Sequence, residues 1–187
     1  MRERCLRAID LRGHPSPLYE RTVEILPLAE AERGKRESVG ICGAEVGSIR
    51  DIHRIPKGML RVVRGGERGK NRAALEENIH MLACPYPLDY VMAGLAAKKN
   101  IGLEINVREI INASGVGRMR LLQNLHVTVS LAFKYRAPLV ITSGARTERE
   151  VKHPRVLVAF GRILGLDYPF SKSCIYHIPK KILEGVT

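Results

Sequence analysis

Short apolar runs alternate along this chain with polar stretches of helical spacing, and that alternation restricts the available folds more than any single motif does. The runs are Cys5 to Leu11, Val39 to Ala44, Met59 to Val63, Ile79 to Cys84, Ile101 to Val107 and Leu139 to Thr142. The helical stretches are Leu18 to Arg33, Glu67 to Asn78, Leu88 to Lys99, Gly117 to Arg136 and Pro154 to Leu164. Only the link between the second and third runs lacks a helical pattern. Strands joined in this way pair in parallel through crossover helices. The expected class is therefore α/β, either a closed barrel or an open sheet, and periodicity does not choose between them. At 187 residues, with no linker rich in Pro, Gly or Ser, a single domain is expected.

The longest helical stretch shows how the pattern is read. Leu122, Leu125, Val129 and Ala132/Phe133 step by three or four and make an inner stripe, while Arg118, Asn124 and His126 fall on other faces. Pro138 then stops the helix, and Pro154 starts the next at a position that needs no amide donor. In the run from Ile101, the residues Ile101, Leu103, Ile105 and Val107 share one face and Gly102, Glu104, Asn106 and Arg108 the other. If the sheet closes, the polar face points inward. Asp10, Arg12, Glu104, Asn106 and Arg108 are then expected around the mouth, where barrels of this kind place ligand groups.

Three familiar chemistries fit poorly. Asp10-Leu-Arg-Gly-His14 ends the first run as a metal site might, but the position alternate to Asp10 is Arg12, a cation that repels a divalent metal. The six His are dispersed, with no His-x-His or His-Glu-x-x-His spacing. Gly65-Gly66-Glu67-Arg68-Gly69-Lys70-Asn71 resembles a phosphate loop, yet Arg64 stands where its first Gly belongs and Asn71 where Ser or Thr would hold magnesium. It reads better as a turn before a helix. Thr142-Ser143-Gly144-Ala145 lacks the nucleophile elbow, and its small residues suit a tight strand-to-loop junction at a barrel rim.

What remains is positive charge. The formal net charge is +12, and residues 94 to 187 carry 15 Lys/Arg against 6 Asp/Glu, compared with 16 against 13 before them. So uneven a field attracts polyanions. The Tyr residues are too scattered to form a stacking platform, so structured RNA recognised by backbone and shape is the expected partner. No apolar run approaches the roughly 20 residues of a bilayer span, and no secretion signal opens the chain. Cys5, Cys42, Cys84 and Cys174 lack Cys-x-x-Cys spacing and read as reduced thiols. A cytoplasmic location is expected, with no membrane contact.

Four segments in order carry a resemblance. They are Arg64-Gly-Gly-Glu-Arg-Gly-Lys-Asn-Arg-Ala-Ala-Leu-Glu, Ile101-Gly-Leu-Glu-Ile-Asn-Val, Lys134-Tyr-Arg-Ala-Pro-Leu-Val-Ile-Thr-Ser-Gly-Ala, and His153-Pro-Arg followed by Gly161-Arg-Ile-Leu-Gly-Leu. Together, between Asp10 and Leu166, the chain resembles the barrel-protein family of ribonuclease P, known in archaea as protein component 3 and shared with eukaryotic ribonuclease P and MRP. The resemblance implies a TIM-barrel-like parallel (β/α) barrel. The short chain and its compressed end after Asp167 imply one that is compact or incompletely closed.

It further implies an RNA-binding, non-catalytic subunit of an enzyme that removes the 5′ leader from precursor tRNA. The RNA subunit would hold Mg2+ and cut, and this chain would bind no cofactor or metal. Its partners would be the catalytic domain of the ribonuclease P RNA and protein component 2, with precursor tRNA met only indirectly. Basic, family-matched positions at element ends select Arg64, Arg72, Lys134 and Arg155 as phosphate contacts, and the basic loop adds Arg146, Arg149 and Lys152. Two other readings remain: a metal-dependent phosphoesterase on the same barrel, and a basic chromatin- or ribosome-associated binder without an enzyme partner.

Overall fold

A computed structural model describes residues 6–33 and 41–186. In chain order the elements are β1 (Ile9–Asp10), β2 (Arg21–Thr22), β3 (Glu24–Pro27), α1 (Leu28–Glu32), β4 (Cys42–Val46), β5 (Leu60–Arg64), α2 (Arg68–Glu76), β6 (Met81–Ala83), α3 (Tyr90–Lys99), β7 (Gly102–Asn106), α4 (Val107–Asn112), α5 (Gly115–Tyr135), β8 (Leu139–Thr142), α6 (Pro154–Ile163), α7 (Tyr168–Ile175) and α8 (His177–Glu184). Strands β3 to β8 form one parallel sheet in sequence order, curled with the helices outside. The expected α/β, TIM-barrel-like architecture is the one observed, and it is incompletely closed. Cys5 and positions 39 and 40, which fall in expected strands, lie outside the described residues.

The stretch 18–33 differs from expectation. It is not one helix but an extended run, β2 and β3, followed by the short α1. The alternating Val23 and Ile25 explain this, because both pack toward the barrel interior while Pro27 ends the strand and caps α1. β2 pairs with β1, and β3 pairs with β4, so this one run links the small sheet to the large one. The other edge has no ladder to β1. It is joined instead beyond the strand ends, where the Gly144 amide donates to the Arg12 carbonyl at 2.9 Å and the Ser143 amide to Asp10 Oδ1 at 3.2 Å. Gly144 sits at φ +68°, and a Cβ there would lie 2.1 Å from Asn106 Oδ1, so the close approach requires glycine.

Two cores follow from strand parity. Leu103 and Ile105 of β7 face the helices with Leu125, Val129 and Ala132 of α5. Ile9, Leu60, Val62, Met81 and Val140 face inward, where they meet Ile182, Leu183 and Val186 from the end of the chain. Helix α8 therefore plugs the end of the barrel at which the strands begin. Gly102 makes room for it, since a Cβ there would lie 2.7 Å from Ile182 Cδ1. His80 fastens the same end: its Nδ1 accepts from the Arg61 amide at 2.8 Å, and its ring also hydrogen-bonds the Gly185 backbone. Helices α4, α7 and α8 had no counterpart in the sequence reading. Among the described residues, no helix is long and apolar enough to cross a membrane.

Candidate nucleic-acid interface at the barrel mouth

At the opposite end, where the strands finish, the interior becomes polar. Strand β7 places Glu104 and Asn106 on the inward face, β4 contributes Glu45, β5 ends on Arg64, and β8 ends on Thr142. The backbone bends after Asp10, which sends Arg12 across the opening. Its Nε donates to Glu104 Oε1 at 2.7 Å, and its terminal nitrogen pairs with Glu45. Thr142 Oγ1 donates to the same Glu104 oxygen at 2.7 Å. Arg64 continues the chain of alternating charge, 3.6 Å from Glu45 and 3.1 Å from Glu109, and Glu109 accepts from the Tyr86 hydroxyl at 3.2 Å. Above this network opens a cavity of about 870 Å³, lined by residues that include Arg12, His14, Glu45, Asn106, Arg108 and Arg146.

Burial sets the electrostatics. The Glu104 side chain is 1% exposed. Burial pushes its carboxyl above the usual range, opposed by Arg12 and by the Thr142 hydroxyl. Burial also works against the Arg12 cation, but Glu104 and Glu45 outweigh it and hold the guanidinium more firmly protonated than usual. Each charge is thus tolerated because of the other. Burial lifts the Asp10 carboxyl to about 7, despite hydrogen bonds from the Ser143 and Arg12 amides. Cys84, beside Glu109, is pushed up to about 11 by burial and that carboxylate, so it is a poor nucleophile.

The residues expected at the mouth divide. Arg12, Asn106 and Arg108 line the cavity, Glu104 lies beneath it, and Asp10 turns into the seam between β1 and β8. Among the expected RNA contacts, Arg64 stands at the mouth with half of its side chain exposed. Arg146 lines the cavity; its backbone amide is bound to Glu150 at 2.8 Å, while its guanidinium has no ion pair among the described residues. Arg149 is exposed in the 3-10 turn Glu148–Glu150, and Arg155 is exposed in the first turn of α6. Lys152 is half-buried, and its carbonyl accepts from the Tyr19 hydroxyl at 2.6 Å, which pins that loop. Arg72 lies one turn into α2, exposed and 3.6 Å from Glu76. Lys134 stands apart, in the last turn of α5 at the other end of the barrel. The 21 residues of α5 put it about 30 Å of helix away from the mouth.

Sequence reasoning missed Glu45, Glu109 and the Arg108–Glu150 pair at 3.1 Å. Glu45 falls one position beyond the apolar run that marked β4, and Glu109 belongs to the unread α4. Among the described residues, no group of three or more His, Cys, Asp or Glu side chains could hold a metal ion. The arrangement can present exposed guanidinium and ammonium groups to phosphates around a rim, over an interior in which most charges already have partners.

Known proteins share the sequence pattern and the fold of this chain. The family model described as RNase P subunit p30 matches residues 59–186. Ribonuclease P protein component 3 of Thermococcus kodakarensis is 30% identical over 141 residues, covering 72% of this chain and 64% of that protein. Its namesake in Methanosarcina mazei is 32% identical over 129 residues, covering 66% and 54%. The chain thus spans between about half and two thirds of the length of these relatives. A chain in a cryo-EM structure of archaeal ribonuclease P with mature tRNA shares the fold with a TM-score of 0.75 at 21% identity, covering 95% of this chain and 90% of that one. With more than half of its residues matched by the model, the chain belongs to the RNase P subunit p30 family.

Proposed function

We propose that this chain is an RNA-binding protein subunit of ribonuclease P, which removes the 5′ leader from precursor tRNA. The observation that carries the reading is the family match across residues 59–186, a span that includes all seven basic positions named above. The rim formed by Arg64, Arg146, Arg149, Lys152 and Arg155, with Arg72 beside it, offers phosphate contacts to the ribonuclease P RNA. Lys134 would serve a separate contact. In this reading the RNA subunit holds magnesium and performs the cleavage, protein component 2 binds alongside, precursor tRNA is engaged through the RNA, and the assembly works in the cytoplasm. The chain supplies no catalytic group. A metal-dependent phosphoesterase on the same barrel is less well supported, because the Arg12 guanidinium occupies the space between Glu45 and Glu104, the carboxylates such a metal would need.

Reconstitution tests this. Ribonuclease P RNA with component 2 should remove the leader faster at limiting magnesium when this chain is added, and the chain alone should leave the transcript intact. Leader removal by the chain without RNA would refute the reading, as would no effect on the complete mixture.

A further inference from the structure

At the end of the barrel away from the mouth, a second cavity of about 570 Å³ opens between α5, α7 and α8. Phe133, Pro138, Phe170 and Ile178 supply apolar walls, and Arg136 and Lys181 stand at its edge. No acidic side chain lines it. Phe133 is 61% exposed and meets Phe170 edge to face, with ring centroids 5.5 Å apart. An aromatic pair left partly in water inside a concave apolar site is the kind of feature that anchors a partner. Lys181 also lies in the last turn of α8, where it suits the negative end of that helix, and Arg136 is the residue that ends α5. The negative end of α5 already carries Lys134 in its last turn. Arg136 and Lys181 carry no ion pair among the described residues.

Three occupants can be compared on chemistry. A second copy of this chain would set cation against cation, and at +12 it repels itself. An RNA base could reach the rings, but they stand at 86° to each other rather than forming a stacking platform. A protein segment with one apolar side chain flanked by carboxylates satisfies both features: the side chain fills the apolar cavity, and the carboxylates meet Arg136 and Lys181.

We propose that this cavity docks such an acidic, apolar-tipped segment of the protein partner, leaving the mouth at the other end free for RNA. The inference rests on the ribonuclease P reading, from which protein component 2 follows as the probe. The full chain and the variants Phe133→Ala and Lys181→Glu are titrated with component 2 and, separately, with ribonuclease P RNA. Both side chains are exposed, and thermal melting checks that each variant is folded. Each variant is expected to weaken component 2 binding by about tenfold or more, while Phe133→Ala keeps wild-type affinity for RNA. Folded variants that bind component 2 as wild type does would overturn the inference and leave the RNA reading intact. So would a Phe133→Ala variant that loses RNA affinity alone, which would make the cavity an RNA site. A wild-type chain that binds RNA but not component 2 would also overturn it, and a chain that binds neither would remove the reading beneath it.

Discussion

Arg12 holds the mouth together. Replacing it with Ala strands the Glu104 carboxylate, 1% exposed, and is expected to cost about 3 to 5 kcal/mol in urea or thermal unfolding. Because burial already raises the Glu104 pKa, the stranded group should take up a proton as the medium is acidified, and the cost should shrink at low pH. Asp10 gives a second pH effect. Its folded pKa of about 7 lies above the unfolded value, so the native state binds the extra proton in the window between them. Stability from this group is therefore complete below about pH 4 and lost as pH rises through about 7. Asp10→Asn keeps an oxygen to accept from the Ser143 amide and removes the charge. The variant should match wild type near pH 4 and exceed it near pH 8; equal stabilities at both would contradict the assignment. His80 acts in the opposite sense, since burial lowers its pKa to about 4 and acidification toward that value costs stability. The variant-minus-wild-type difference isolates Asp10. At this scale the sequence showed which polar residues share the face of β7. It could not show that Arg12 meets Glu45, because that pairing depends on strand register and on a bend after Asp10.

Among the elements, α8 fills the barrel interior with Ile182 and Leu183 and had no counterpart in the expected pattern. Ile182 is 2% exposed inside the barrel, against Gly102 and Val140. Ile182→Ala should cost about 2 to 4 kcal/mol, measured by chemical denaturation; a cost under about 0.5 kcal/mol would mean that the helix does not fill the interior. The strand β8 was legible to the residue, because Leu139–Thr142 is buried on both faces and reads as an unbroken apolar run. Helices α2, α3, α5 and α6 were legible from spacing and from their stops. The α8 segment was passed over although Ile178, Ile182 and Leu183 keep helical spacing, because nothing local to it shows that this face enters the barrel. The 18–33 segment failed for the opposite reason: its local composition allows a helix, and the need to continue the sheet from β4 decides for a strand.

Taken whole, the molecule has two chemically different ends. The mouth carries paired charge inside and exposed cations around the rim, while the plugged end carries an apolar cavity with two cations. The uneven charge was plain in the sequence, as was the order of family motifs. That Lys134 lies away from the other basic candidates was not, because only the direction of α5 along the barrel reveals it. The central claim is that rim cations grip RNA phosphates, and the salt dependence of ribonuclease P RNA binding tests it most directly. For wild type, log K should fall steeply with log salt, and the double variant Arg146→Ala, Arg149→Ala should lower that slope by about two. A slope that is shallow in wild type, or unchanged in the double variant, would contradict it.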